Sequence, residues 1–199
     1  MKNTLQRLIW MLGSAAVVVG IDQWVKVWAK EHVQGQPMQA FLNDMFFLIY
    51  AENSGVAFSL GSGLDPTVRF WLFEVLVALF LIGLSVFVVR QPVVWTSELV
   101  AYGLILGGGF GNWLDRLLNN GAVIDYALIQ AGPLRTAIFN LADSCILVGF
   151  FVLIIYSFVH ARHEKAAKHE AEAAAAEATP DSDTPADPSQ EDQPENHVA

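Results

Sequence analysis

Carboxylate side chains set in apolar sequence are the residues of this chain best suited to do chemistry. Asp22, Glu74, Asp115 and Asp143 lie near the ends of long apolar stretches, and Asp125 lies in a loop between two of them. A charged side chain at the centre of a bilayer costs about 2.5 to 3.5 kcal/mol on insertion scales, so such residues need a role. Two carboxyls held close together share a proton, because repulsion in a low dielectric raises one pKa. A pair of this kind can activate water and protonate a leaving group, as in aspartic proteolysis.

Neighbouring cations divide these acids into two groups. Asp22 and Lys26 are four residues apart and therefore share one face of a helix. Arg116 directly follows Asp115, and we expect it to lower the pKa of that carboxyl. Both acids are therefore expected to form ion pairs that stabilise a helical bundle.

Asp125 and Asp143 are left without a dedicated cation, which makes them the candidate catalytic pair. The residues alone do not decide strongly between Asp125 and Asp115, and only the adjacent Arg116 favours a structural role for Asp115. Asn140 lies three residues before Asp143 and is expected on the same helical face.

The elements that must position these acids are membrane helices. Hydrophobic residues make up 54% of the 199 residues, and a helix needs about 20 apolar residues to cross a bilayer. The first stretch could be a signal peptide, but Asp22 to Lys26 continue it without a cleavage site. Because consecutive spans cross the membrane in opposite directions, the four acids near the span ends are expected in the same leaflet. We predict an all-α integral membrane protein with four spans, at about residues 5–29, 68–89, 96–118 and 137–159.

The distribution of Lys and Arg favours cytoplasmic termini. Four spans place both termini on one side with six Lys and Arg residues, against five on the loop side. If Lys26 and Arg116 belong to a site rather than to the loops, the bias becomes six against three. The loop of residues 31–67 alternates apolar runs with turn signals, which predicts a small β-hairpin or sheet on the extracytoplasmic side.

Residues 1–160 are predicted to form the membrane domain, and residues 161–199 an acidic cytoplasmic tail. The tail holds three basic and ten acidic residues, so most of the net charge of −9 lies outside the domain. We expect a helical extension over residues 162–177, then disorder, and no chemistry in either part. Without a basic stripe, nucleic-acid binding has no support.

Five short motifs in order resemble those of the lipoprotein signal peptidases (signal peptidase II). Each motif is weak alone, but together with the four predicted spans they cover residues 5–160. Tyr126 and Val56 stand where Phe and Ala are common in that family, and the Tyr126 hydroxyl is expected to change little. The motifs are Asp22-Gln-x-x-Lys26, Asn53-x-Gly55-x-Ala57-Phe58, Gly108-Gly-x-Gly-Asn112-x-x-Asp115-Arg116, Val123-x-Asp125-Tyr126 and Phe139-Asn140-x-Ala142-Asp143.

The resemblance implies an aspartic endopeptidase with Asp125 and Asp143 as its dyad. Its substrates would be diacylglyceryl-modified prolipoproteins, cut on the amino side of the lipidated cysteine at the extracytoplasmic face of the bacterial inner membrane. Membrane lipids are the other expected partners, the enzyme is expected to be a monomer, and neither metal nor cofactor is expected. The residues expected to shape the site or bind substrate are Asp22, Lys26, Asn53, Gly55, Gly108, Asn112, Asp115, Arg116, Asn140 and Ala142.

Three other functions fit less well. A proton-coupled transporter would place its acids near the membrane midplane and often shows repeats, neither of which is seen in the sequence. A metal-dependent phosphoalcohol transferase would need a denser acidic motif on one helix. A non-catalytic scaffold would tolerate the loss of Asp125 and Asp143.

Overall fold

Four long helices and a small sheet make up the computed structural model, which describes residues 4–91 and 95–177. The chain divides into a compact unit through Ser157 and a second unit that begins at Phe158. The predicted disorder after residue 177 lies outside the described residues. The helices are α1 (Thr4–His32), α2 (Pro66–Arg90), α3 (Thr96–Leu118) and α4 (Leu141–Glu177).

Helix α2 starts at a capped end and changes its winding near the site. The Asp65 carboxylate accepts a hydrogen bond from the Thr67 backbone N–H at 2.8 Å, and Pro66 occupies the first helical position. Residues Phe70–Val75 then form a π-helical segment before regular α-helix resumes. A π segment shifts the side chains that follow it around the helix axis and is frequent at functional sites.

Three helices in the described residues are long and apolar enough to cross a membrane: Thr4–His32, Pro66–Arg90 and Leu141–Ala171. The predicted third span is a 23-residue helix, α3, with the expected bounds. Its glycines, Asn112 and charged residues lower its hydropathy. The number of four spans and the orientation of the termini therefore stay predictions.

The fourth predicted span begins later than expected. Residues 137–140 are not helical, because Phe139 forms a β-bridge with Ala127 and Asn140 caps the helix that starts at Leu141. The same helix continues through the predicted extension to Glu177.

Two loops separated in sequence build one antiparallel sheet. Its strands run in the order β1 (Gln39–Phe41), β2 (Phe46–Asn53), β3 (Val123–Ala131) and β4 (Leu134–Arg135). The predicted sheet in the first loop is present, and the second loop extends it. Leu48 pairs with Ala127 and Ala51 pairs with Asp125, so β2 contains one more residue than β3 between these two pairs. The extra residue forms a β-bulge beside Asp125.

Glycines let α1 and α3 approach closely. A Cβ atom on Gly107 would lie 2.7 Å from the Ala15 carbonyl oxygen and 2.8 Å from the Val18 Cβ atom. Gly103 and Gly111, one turn away on either side, are packed equally closely against α1. Small residues four apart bring membrane helices into backbone contact, which here sets α1 beside the acids of α3.

Candidate active site

A buried ion triad joins α1 to α3. The Lys26 ammonium lies 2.7 Å from Asp22 Oδ2 and 2.9 Å from Asp115 Oδ2, and all three residues are at most 1% exposed. The third acceptor of Lys26 is Asn112 Oδ1, at 3.0 Å. The expected Asp22–Lys26 pair is therefore present, and every donor of the ammonium has a partner.

The expected pairing of Asp115 with Arg116 is wrong. Consecutive side chains on a helix point about 100° apart, so Lys26 on α1 pairs with Asp115 instead. The Arg116 guanidinium donates to the Gly55 carbonyl oxygen at 3.0 Å. The negative charges that act on it include those of Asp143 and Asp125 as well as that of Asp115. Arg116 therefore acts electrostatically on both candidate carboxyls, although the described residues show no salt bridge from Arg116 to either of them.

Gln23 is a contributor that the sequence did not single out. Its side-chain amide donates to Asp115 Oδ1 at 2.8 Å and to the Gly111 carbonyl oxygen at 3.2 Å. Asp115 Oδ2 also accepts from the backbone N–H of Ile124 at 3.0 Å. Gln23 is the second residue of the first motif, which was the available signal. Asp115 thus anchors the start of β3 to the triad.

Asp125 lies on β3, is 3% exposed and is held by two amides. Asn140 Nδ2 donates to its Oδ1 at 2.8 Å, and Asn53 Nδ2 donates to its Oδ2 at 3.1 Å. Burial raises the pKa of Asp125 to about 6, with the negative charge of Asp143 adding to the rise. The two amide donors and Lys26 partly offset these effects because they favour the carboxylate.

Asp143 occupies the first turn of α4. Asn112 Nδ2 donates to its Oδ1 at 2.7 Å, and the Asn140 backbone N–H donates to its Oδ2 at 3.2 Å. In return, the Asp143 backbone N–H donates to Asn140 Oδ1 at 2.9 Å, which completes a reciprocal helix cap. Asn140 is thus the cap of α4 and not a residue of its face, and it touches both candidate catalytic carboxyls.

The remaining predicted residues hold backbone segments against the site. Ala142 is fully buried, and its N–H donates to Asp22 Oδ1 at 2.9 Å. Gly108 packs against the Ala142 backbone where no side chain would fit. Gly55 donates its N–H to Asn53 Oδ1 at 3.0 Å and accepts from Arg116. All twelve predicted site residues therefore belong to one connected cluster.

The Tyr126 hydroxyl, expected to change little, has a defined contact. It accepts a hydrogen bond from the Leu141 backbone N–H at 3.0 Å, at the first residue of α4. This contact satisfies one of the N–H groups that a helix start leaves free.

Two cavities meet at Asp125. An apolar cleft of about 660 Å³ runs between α2, α3 and α4 and reaches Asp125 and Asp143. A second, more polar cavity of about 330 Å³ lies against the sheet and includes Glu52 and Arg135. Asn53 and Asp125 line both cavities. A substrate with one apolar and one polar part could therefore place their junction at Asp125. The described residues contain no group of three or more His, Cys, Asp or Glu side chains arranged to hold a metal ion.

Comparisons with known proteins show which family the chain belongs to. A family model described as signal peptidase (SPase) II matches residues 14–159. The lipoprotein signal peptidase of Hydrogenovibrio crunogenus is 36% identical over 155 residues, covering 77% of this chain and 88% of the relative. That of Borrelia turicatae is 32% identical over 148 residues, covering 71% of this chain and 85% of the relative.

A solved structure shares the fold. A bacterial membrane enzyme determined by the in meso method superposes with a TM-score of 0.64 at 26% sequence identity, covering 73% of this chain and 85% of the other. The matched segment contains every residue of the cluster described above. The chain belongs to the signal peptidase II family, the membrane proteases that process lipoproteins.

Proposed function

We propose that this protein is an intramembrane aspartic endopeptidase that removes the signal peptide from diacylglyceryl-modified prolipoproteins. It cuts on the amino side of the lipidated cysteine, with Asp125 and Asp143 as its catalytic dyad. The observation that carries the proposal is the contact of one residue, Asn140, with both carboxyls at the end of an apolar cleft. The family supplies the substrate class, prolipoproteins.

The two carboxyls have different environments, which assigns them different roles. Asp125, whose pKa is raised to about 6, is the carboxyl that carries the proton of the dyad, and in its protonated form it donates a hydrogen bond to the scissile carbonyl oxygen. Asp143, in the first turn of α4, takes the complementary role of general base, because such a dyad works with one proton shared between its two carboxyls.

The reaction follows from these states. Asp143 removes a proton from water as the water oxygen bonds to the carbonyl carbon, while the Asp125 proton passes to the carbonyl oxygen. The resulting tetrahedral diol collapses when the C–N bond breaks. Asp143 then returns its proton to the leaving amine of the cysteine, and Asp125 recovers its own from the diol hydroxyl. The Arg116 guanidinium limits the negative charge that accumulates between the carboxyls.

The apolar cleft supports a lipid-modified substrate. Phe80 and Leu84 of α2 and Ile146 and Leu147 of α4 line it, so acyl chains and a signal helix would lie there without desolvation cost. Asn53 and residues 55–57 line one side of the cleft, and the segment of residues 41–60 that contains them would act as a cradle or lid. Binding energy from these apolar groups would position the scissile bond at the dyad.

We place the enzyme in the bacterial inner membrane as a monomer, with the dyad near the extracytoplasmic face. Four spans with cytoplasmic termini would bring the loop-side cluster to that face. The chemistry proposed requires neither a metal nor a cofactor.

The direct test uses purified protein in detergent with one prolipoprotein in two forms, with and without the diacylglyceryl group. We expect cleavage of the lipidated form only, and mass spectrometry should give the lipidated cysteine as the new N-terminus. Equal cleavage of both forms would contradict the lipid-binding role of the cleft. No cleavage of a verified lipidated substrate would refute the proposed activity.

A further inference from the structure

The segment before α4 leaves the sheet at the cleft. Thr136 N–H donates to the Ile129 carbonyl oxygen at 2.9 Å, and Phe139 N–H donates to the Ala127 carbonyl oxygen at 2.8 Å. Between these two bonds the segment advances three residues while β3 advances two, so residues 137–138 bulge away from β3.

The bulge leaves backbone groups without partners. Within the described part of the chain, no backbone hydrogen bond involves the N–H or C=O of Ala137 or Ile138. Both residues are only half-buried. Backbone polar groups in such a position need hydrogen bonds from water or from a bound ligand.

The same two residues connect the two cavities. Ala137 and Ile138 line the apolar cleft and the polar cavity, and so does Asp125. A peptide that runs along Ala137 and Ile138 therefore passes Asp125. On the way it moves from the apolar cleft into the polar cavity. A prolipoprotein changes in the same order, from an apolar signal helix to the polar residues after the cysteine.

We infer that Ala137 and Ile138 form a docking strand for the substrate, pairing with the extended main chain on either side of the scissile bond. The polar cavity beside Glu52 and Arg135 takes the residues that follow the lipidated cysteine. This inference rests on the proposed function and adds how the bond is aligned. Main-chain pairing gives affinity without demanding particular side chains, as in other cases of strand addition.

The test exploits the two-residue period of strand pairing. Four analogues of a diacylglyceryl lipopeptide each carry one ester in place of one backbone amide. The replaced amides are the two before and the two after the scissile bond. A fifth analogue carries its ester six residues after the cysteine. Two docking residues span only about 7 Å, so this last position is out of reach and serves as the control.

We expect an alternating pattern in kcat/KM. An ester at a position that faces the docking strand removes one hydrogen bond and should lower kcat/KM about fivefold or more. An ester at an adjacent position, and the ester of the control analogue, should leave kcat/KM close to that of the unmodified lipopeptide. Equal rates or equal losses at all four positions would overturn the docking strand. If the unmodified lipopeptide is not cut, the proposed function fails instead, so the two failures are distinguishable.

Discussion

Three asparagine amides fix how the proposed dyad is hydrogen-bonded. In Asn53, Asn112 and Asn140 the side-chain oxygen accepts from a fixed donor: the Gly55 N–H, the Lys26 ammonium and the Asp143 N–H, respectively. Each amide nitrogen therefore has to face a carboxyl. Lys26 thus orients Asn112 toward Asp143, although its ammonium contacts neither carboxyl of the proposed dyad.

Asn53→Ala is predicted to move the pH profile. Wild-type kcat/KM should fall as pH rises above about 6, because Asp125 must be protonated. The Asn53 donor favours the Asp125 carboxylate, so removing it raises the pKa of Asp125 further. The falling limb should therefore shift to higher pH in Asn53→Ala. Ser62→Ala, in the loop that follows β2, is the control. If the pH at which kcat/KM decreases stays the same or becomes lower in Asn53→Ala, the proposed role of Asp125 is contradicted.

Lys26→Met is predicted to destabilise the fold strongly. It would leave Asp22 and Asp115 buried without their cation, at a cost of about 3 to 5 kcal/mol. Thermal unfolding in detergent measures the loss. Lys30→Met on the exposed side of the same helix is the matched control and should change stability by less than about 1 kcal/mol. Equal unfolding temperatures for the two variants would argue against the triad.

At the scale of elements, close helix contact and a sheet made of two loops position the site. Helix α3 contributes Asn112, Asp115 and Arg116, while strand β3 contributes Asp125. The bulge in β2 lies opposite this strand at Asp125. The dyad is thus assembled from a strand and a helix start, each anchored by the buried triad or the helix cap.

Gly107→Ala is predicted to weaken the contact between α1 and α3. The added methyl group would meet the Ala15 carbonyl oxygen, a backbone atom that cannot yield cheaply, so we expect a loss of about 1 to 3 kcal/mol. Gly13→Ala on α1 has open space and should be neutral or slightly stabilising. Thermal unfolding of both variants is the comparison. A neutral Gly107→Ala would show that the helices are not in close contact there.

Helices were predictable because their information is local. Apolar length predicted the bounds of α3, and i,i+4 spacing predicted the Asp22–Lys26 pair. The ion-pair partner of Asp115 was not predictable in this way, because Lys26 lies on another helix. The strand around Asp125 was not predictable either, because β3 pairs with a strand at least 70 residues away in sequence.

At the scale of the molecule, the buried charged side chains of the first compact unit are collected at one level. The ion triad, the dyad and Arg116 are linked through shared asparagines, whereas the long apolar faces of α1, α2 and α4 remain exposed. Exposed apolar helices of this length fit a bilayer. This arrangement places the proposed site of hydrolysis at the edge of an apolar environment.

Removal of residues 166–199 is predicted to leave cleavage intact. Every site residue lies between positions 22 and 143, and the acidic tail contributes none of them. The rate of prolipoprotein cleavage by the truncated protein in detergent, compared with the full chain, checks this. A large loss of activity with an unchanged unfolding temperature would show that the tail takes part in catalysis or substrate binding.

The most direct measurement is cleavage of a lipidated prolipoprotein by Asp125→Asn and by Asp143→Asn, each compared with the wild type. Either change removes one half of the acid–base pair, so we predict a loss of at least about 100-fold in kcat/KM. Asp65→Asn is the matched control, because asparagine also caps helix α2 and this residue lies outside the site. It should retain wild-type activity. If either dyad variant cleaves within threefold of the wild-type rate, the proposed dyad is contradicted and the catalytic role passes to Asp115 or Asp22.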